Sequence, residues 1–174
     1  MESVIVLVMH GAPPRDFPNA ELGEFFGLGS RLKQASGPER VAIEERYSAL
    51  EAKMRAWPRT ASNDPFHAAS QDMADHLQRA SGSRVIVAFG EFCAPRMDEA
   101  MDQAAALAPK RIIVLTPMMT RGGEHSEVEI PAQVQNAQKR HPGIQFLYVW
   151  PFELPEVASF LASQIEHFVE KSGK

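Results

Sequence analysis

Four short apolar runs set the pattern of this chain: Val4–Met9, Val85–Phe89, Ile112–Leu115 and Ile144–Trp150. Continuous β-branched stretches of this length, with no polar alternation, suit strands buried on both faces of a parallel sheet. Helical periodicity fills the intervals. Phe66, Ala69, Met73 and Leu77 recur at helical spacing, with Asp64 as N-cap and Pro65 at the first helical position. Met97, Met101, Ala104 and Leu107 repeat that spacing until Pro109 stops it. A third pattern runs from about Glu129 through Val134 towards Arg140, with Pro131 tolerable only in its first turn. The last puts Val157, Phe160, Leu161, Ile165 and Phe168 on one face. Strands alternating with helices imply βαβ units and right-handed crossovers. The fold expected is α/β, a three-layer α/β/α sandwich on a four-stranded parallel sheet.

The 54 residues from Gly11 to Asp64 interrupt this alternation. A span of that length should carry structure of its own. Ile43, Tyr47, Leu50, Met54 and Trp57 follow a helical spacing, and a weaker pattern through Leu22, Phe25, Phe26 and Leu32 is broken by Gly27 and Gly29. The reading is one domain over residues 1–174, with a helical insertion over 17–64 whose two helices join near Ser36-Gly37-Pro38. A cap over the site is the favoured role, because the insertion leaves the sheet where ligands are expected. The sheet resembles half of a larger α/β protein, which raises a homodimer as an expectation.

Composition narrows the function. The balance of 18 basic and 22 acidic side chains gives a net charge of −4, without a basic run, which argues against nucleic-acid binding. A single cysteine, Cys93, excludes a disulfide framework and any multi-cysteine zinc module, and reads as a small buried residue. The first apolar run is too short for a signal-peptide core, and none approaches the roughly 20 residues a membrane helix requires. The chain reads as cytoplasmic, without a membrane partner. It has no G-x-x-x-x-G-K-[ST] loop, no G-x-G-x-x-G turn after its first strand and no G-x-S-x-G elbow, so no nucleotide is called for.

In open α/β sheets ligands bind beyond the carboxyl ends of the strands. His10 ends the first strand, Glu91 follows the second, and His125 closes the loop after the third. Two neutral imidazoles and a carboxylate suit a divalent first-row metal, or general acid–base work. Each residue alone has an ordinary alternative. A histidine at a strand end is commonly a satisfied polar group, and a carboxylate there commonly caps a helix. Gly122 and Gly123 can mean only a tight turn, and Met118 and Met119 only packing. His67, His76, His141 and His167 read as solvated. His10-Gly11 is also similar to the histidine phosphatases, but Met9 stands where their phosphate-gripping arginine belongs.

Three blocks resemble the class II chelatases of the short CbiX/SirB type, the sirohydrochlorin cobalto- or ferrochelatases. They are Val4 to Gly11, Phe89-Gly90-Glu91-Phe92-Cys93-Ala94-Pro95 leading into Met97-Asp98-Glu99-Ala100, and Pro117 through Pro131 with His125 and Glu129. His141-Pro142-Gly143 before the last strand also fits, and coverage is roughly residues 1–14 and 65–170. Ala12 stands where the family usually has serine. The resemblance implies ATP-independent insertion of Co²⁺, Fe²⁺ or Ni²⁺ into a tetrapyrrole such as sirohydrochlorin, as in cobalamin or siroheme synthesis. It implies His10 and His125 as metal ligands and Glu91 close to the reaction. Arg15, Phe92, Met118, Met119, Arg121, Gly122 and Gly123 are the candidate substrate contacts, with Arg96 also beside the site. A metal or tetrapyrrole carrier of the same fold and phosphoryl transfer on His10 are the alternative functions.

Overall fold

A computed structural model describes residues 2–172. Strands β1 (Ser3–Met9), β2 (Arg84–Phe89), β3 (Arg111–Leu115) and β4 (Gln145–Tyr148) form one parallel sheet in the order β2-β1-β3-β4. Helices α1 (Asn19–Leu32), α2 (Gly37–Arg55) and α3 (Pro65–Ser81) lie between β1 and β2 in the chain. Helix α4 (Met97–Ala106) leads to β3. A π-helical turn, His125–Glu129, runs directly into α5 (Ile130–Arg140), and α6 (Leu154–Ser172) follows β4.

The strand order explains the layers. The chain steps from β1 to β2 in one direction, then returns across β1 to β3 and β4. With right-handed crossovers, that reversal places α3 on one face and α4 with α5 on the other. Val4, Val6 and Val8 of β1 pack with Ile112 and Val114 against Ala100, Met101, Ala104, Ile130, Val134 and Ala137. The opposite face holds Leu7, Val87 and Phe89 against Ala74 of α3. β1 is therefore buried from both sides, as its unbroken apolar run requires.

The four strands and the helices α3, α4 and α5 lie where the sequence patterns place them, and Asp64 caps α3 by accepting the His67 N–H at 2.9 Å. Five expectations need correction. The packed face of α3 carries His67, Ser70, Ala74 and Leu77, while Phe66, Ala69 and Met73 are exposed. His67 is not solvated: its ring stacks on Phe89 at 5.3 Å, and burial lowers its pKa. β4 is an edge strand with only Phe146 and Tyr148 turned inward, so Leu147 is exposed rather than buried on a second face. The apolar stripe of α6 buries no residue at all. Gly27 and Gly29 also fail to interrupt α1. Gly29 instead lets α1 approach α2, since a Cβ there would meet the Tyr47 ring at 3.3 Å.

Helices α1 and α2 form a hairpin with a small core of its own, Phe17, Phe25, Leu50 and Met54, which Phe92 joins to the sheet. Phe25 stacks on Tyr47 with ring centroids 4.5 Å apart. Salt bridges Arg46–Glu24 and Lys53–Glu21 cross the outside of the hairpin. Exposed pairs of this kind contribute little to stability, so the aromatic core is the main bond between the helices.

Candidate metal and ring site

β1 and β3 are neighbours at which the chain reverses its winding direction, the position where open α/β sheets bind ligands. His10 leaves the end of β1 there. His125 begins the π-helical turn after β3, and the two imidazole centroids lie 5.1 Å apart with planes at 70°. Glu91 Oε2 lies 3.3 Å from His10 Nδ1, and Glu129 Oε2 lies 2.7 Å from His125 Nδ1. A carboxylate on Nδ1 favours the proton there and leaves Nε2 with a free lone pair, the arrangement of metal-binding histidines. The bond from Glu129 raises the His125 pKa, outweighing the lowering effect of burial. Val8, Met97, Met118 and Ile130 line the cleft at the imidazoles, which offers about 10 Å³ of free room, at the lower limit for a single water molecule.

The backbone that delivers His10 and Glu91 is tightly fastened. Parallel ladder bonds continue beyond the strands: Gly90 N–H donates to Met9 O at 2.9 Å and Glu91 N–H to His10 O at 2.8 Å. Gly11 crosses so close beneath Glu91 that an added Cβ would sit 2.0 Å from the Glu91 carbonyl oxygen, and its φ is +105°. No other residue fits there. Phe92 holds a left-handed φ of +58°, a conformation that a bulky side chain adopts only under restraint.

Two arginines at the end of the hairpin supply that restraint. Arg55 donates to Gly90 O at 2.9 Å and Cys93 O at 2.6 Å. Arg59 donates to Phe92 O at 2.6 Å, Ala12 O at 2.9 Å and Met54 O at 2.8 Å, and pairs with the buried carboxylate of Asp64. The clasp thus ties α2, the loop after β1, the loop after β2 and the start of α3 to one another. Cys93 lies buried against it, its thiol pKa raised by desolvation.

Beside the imidazole cleft opens a wider one of about 500 Å³. Its sheet side is Gly90, Glu91, Phe92, Arg96 and Glu129, and its hairpin side includes Phe25, Phe26, Lys33 and Tyr47. Gly90, Glu91 and Glu129 border both clefts, so the carboxylates stand between the imidazoles and the larger space.

The expected site residues divide by location. His10, Glu91 and His125 converge, Met118 lines the imidazole cleft, and Phe92 and Arg96 line the wide one. Met119 is half-buried and lines neither. Arg15 borders a separate open groove with Asp16, Trp57 and Asn63. Arg121 is exposed and pairs with Glu127 at 3.4 Å. Gly122 donates its N–H to that same Glu127 carboxylate, and Gly123 packs near the Ser126 hydroxyl. Sequence reasoning assigned no role to Glu129, although i,i+4 spacing from His125 was the available signal. Arg55, Arg59, Phe25, Phe26, Lys33 and Tyr47 were also missed: the insertion as a whole was expected to cap the site, but nothing in the sequence singles these side chains out within it.

Comparison with known proteins adds the lineage. A sirohydrochlorin cobaltochelatase of Priestia megaterium is 30% identical over 70 residues, which are 40% of this chain and 22% of that protein. The match thus spans about a fifth of that relative's length. The CbiX protein of Marinobacter aquaeolei VT8 superposes with a TM-score of 0.53 at 14% identity, covering 97% of this chain and 98% of that one, which shows a common fold. The sirohydrochlorin chelatase SirB from Bacillus subtilis subspecies spizizenii, solved in complex with cobalt, is a looser likeness. Its TM-score is 0.43 at 15% identity, covering 87% of this chain and 44% of that one. The CbiX family model matches residues 61–167, which is more than half the sequence and runs from the start of α3 into α6, and the chain belongs to that family.

Proposed function

We propose that this chain inserts a divalent metal ion, Co²⁺, Fe²⁺ or Ni²⁺, into a tetrapyrrole of the sirohydrochlorin type without using a nucleotide. One observation carries the reading: two carboxylate-backed imidazoles face each other across a narrow cleft that adjoins a much wider, aromatic-walled one. Family membership and the names of the relatives support the same chemistry.

The reaction needs three things from the protein. The ion must be stripped of part of its water, the ring must be laid against it, and two pyrrole N–H protons must leave. His10 and His125 hold the ion through Nε2. With two imidazoles as its protein ligands, the ion keeps further coordination positions for ring nitrogens. The aromatic edges of Phe25, Phe26, Tyr47 and Phe92 offer a surface for a flat macrocycle. Lys33 and Arg96 on the same cleft supply cations for its peripheral carboxylates. Glu91 and Glu129, which border both clefts, accept the departing protons. The products balance as one metallated ring and two protons released to solvent.

Proton and metal compete for His125. Its pKa lies above the ordinary histidine value because of Glu129, so metal loading and turnover rise with pH through that elevated pKa. The direct test supplies sirohydrochlorin anaerobically with each of Co²⁺, Fe²⁺ and Ni²⁺ and follows the absorption spectrum. Enzyme-dependent acceleration with at least one metal is expected. Ion and ring binding without acceleration would instead establish a carrier.

A further inference from the structure

Tyr47, Glu51 and Arg55 follow one another at i, i+4 spacing along α2, so they share one face of that helix, and all three line the wide cleft. Tyr47 belongs to the aromatic wall. Arg55, in the last turn, points into the protein, its side chain only 10% exposed. Glu51 lies between them. One of its carboxylate oxygens pairs with Arg55 at 3.0 Å, and the other lies 3.9 Å from the Arg96 guanidinium.

What Arg55 grips is the turn that carries Glu91. Its two carbonyl acceptors, Gly90 and Cys93, bracket Glu91 on either side. Between them Cys93 N–H donates back to Glu91 O at 2.6 Å, and the left-handed Phe92 sets its ring 6.2 Å from those of Phe25 and Phe26. The turn is thus closed from within and clamped from α2. The clamp matters because Glu91 has no reach to spare. Its Oε2 lies 3.3 Å from His10 Nδ1, already at the outer edge of hydrogen bonding, so a displacement of about 1 Å ends the contact.

The chemistry of the side chain suits the task. Nε donates to Glu51, Nη1 to Cys93 O and Nη2 to Gly90 O, a rigid fork that the single ammonium of a lysine does not reproduce. Arg59 is anchored elsewhere: its partner Asp64 lines neither cleft, whereas Glu51 belongs to the wide one.

We propose that Arg55 is a positioning residue for metal insertion: by clamping the 90–93 turn to the helix face that carries Tyr47, it sets Glu91 against His10 and in register with the ring wall. It acts through Glu91, not on ion or ring. The inference rests on the proposed reaction.

The test is a double-mutant cycle of Arg55→Lys and Glu91→Gln, read by Co²⁺ binding in the visible spectrum and by insertion into sirohydrochlorin. Circular dichroism fixes the folded fraction to which each value refers. Arg55→Lys keeps the charge beside Glu51 but not the fork. It should weaken Co²⁺ binding about 10-fold and lower kcat about 10-fold, with the KM for the ring changed by less than about 2-fold. In R55K/E91Q the losses should equal those of Glu91→Gln, because no carboxylate is left to position. Losses that multiply overturn the proposal, as does an Arg55→Lys variant whose folded fraction binds Co²⁺ like the unaltered chain. If the unaltered chain binds Co²⁺ but metallates no ring, the proposed reaction fails, and with it the role in insertion, while the Co²⁺ cycle still decides whether Arg55 positions Glu91.

Discussion

His10 and His125 end close together, yet the two stretches of backbone that bring them there are built in opposite ways. His10 sits on a strand end whose hydrogen-bond ladder runs on into the loop, crossed by Gly11 and fastened by Arg55 and Arg59. His125 follows an exposed loop, Thr120–Glu124, and stands on a π-helical turn held by fewer bonds, chiefly Tyr148 Oη to Ser126 O at 2.8 Å. Burial explains the difference. The loops after β1 and β2 turn under the hairpin, where every carbonyl needs a donor, while the loop after β3 faces water. One imidazole is thus set on a fixed base and the other on a turn that can adjust. Single π-helical turns recur at functional sites.

That contrast can be broken by experiment. The largest effect is expected at the proposed ligands: His10→Ala and His125→Ala should each lower metal insertion by at least about 100-fold, measured spectrally. If only one of them matters, the paired site is wrong. Asp64→Ala leaves the buried Arg59 guanidinium without its counter-charge and removes the α3 cap. A loss of about 3–5 kcal/mol in urea unfolding is expected. A loss below ~1 kcal/mol would mean that the base under His10 is not locked by this pair.

Next comes Glu129→Gln, for which a 10–100-fold loss of metal affinity is expected, as for other partners of liganding histidines. The pH dependence supplies a second reading. Because Glu129 raises the folded-state pKa of His125, the pair stabilises the fold fully below the unfolded histidine pKa near 6.5, and that contribution fades as pH rises through the elevated value. In the Gln variant the acid limb of the pH–rate profile should move to lower pH. An unmoved limb would assign the titration to another group. The smallest effect is expected at Glu127→Gln on the water-facing loop. Its carboxylate pKa is lowered by the Gly122 N–H and then by Arg121, but the site is solvent-screened, and the unfolding midpoint should not measurably move.

Much of this was legible in the sequence, for identifiable reasons. The strand runs were readable because residues buried on both sides leave no polar interruption, and Asp64-Pro65 was readable because cap chemistry is local. His10, Glu91 and His125 followed from a rule about strand ends that needs only element order. The faces of α3 and α6 were not readable. Periodicity identifies an apolar stripe, such as Phe66, Ala69 and Met73, but not whether anything lies against it. β4 illustrates the same limit: Phe146 and Leu147 are equally apolar, and only the position of the strand at the sheet edge separates them. Arg55 and Arg59 were invisible because an arginine near a helix end looks the same whether it meets water or, as these do, two or three backbone carbonyls.

The family model begins at residue 61, beyond the hairpin that walls the wide cleft. Of the residues proposed to meet the ion, His125 lies inside that stretch and His10 outside it, and of the wide cleft's walls Phe92 and Arg96 lie inside and Phe25, Phe26, Lys33 and Tyr47 outside. On the proposed reading, substitutions at positions 25, 26, 33 and 47 would retune which macrocycle is admitted while the imidazoles stay in place, a division of labour that would let selectivity drift without loss of the underlying reaction.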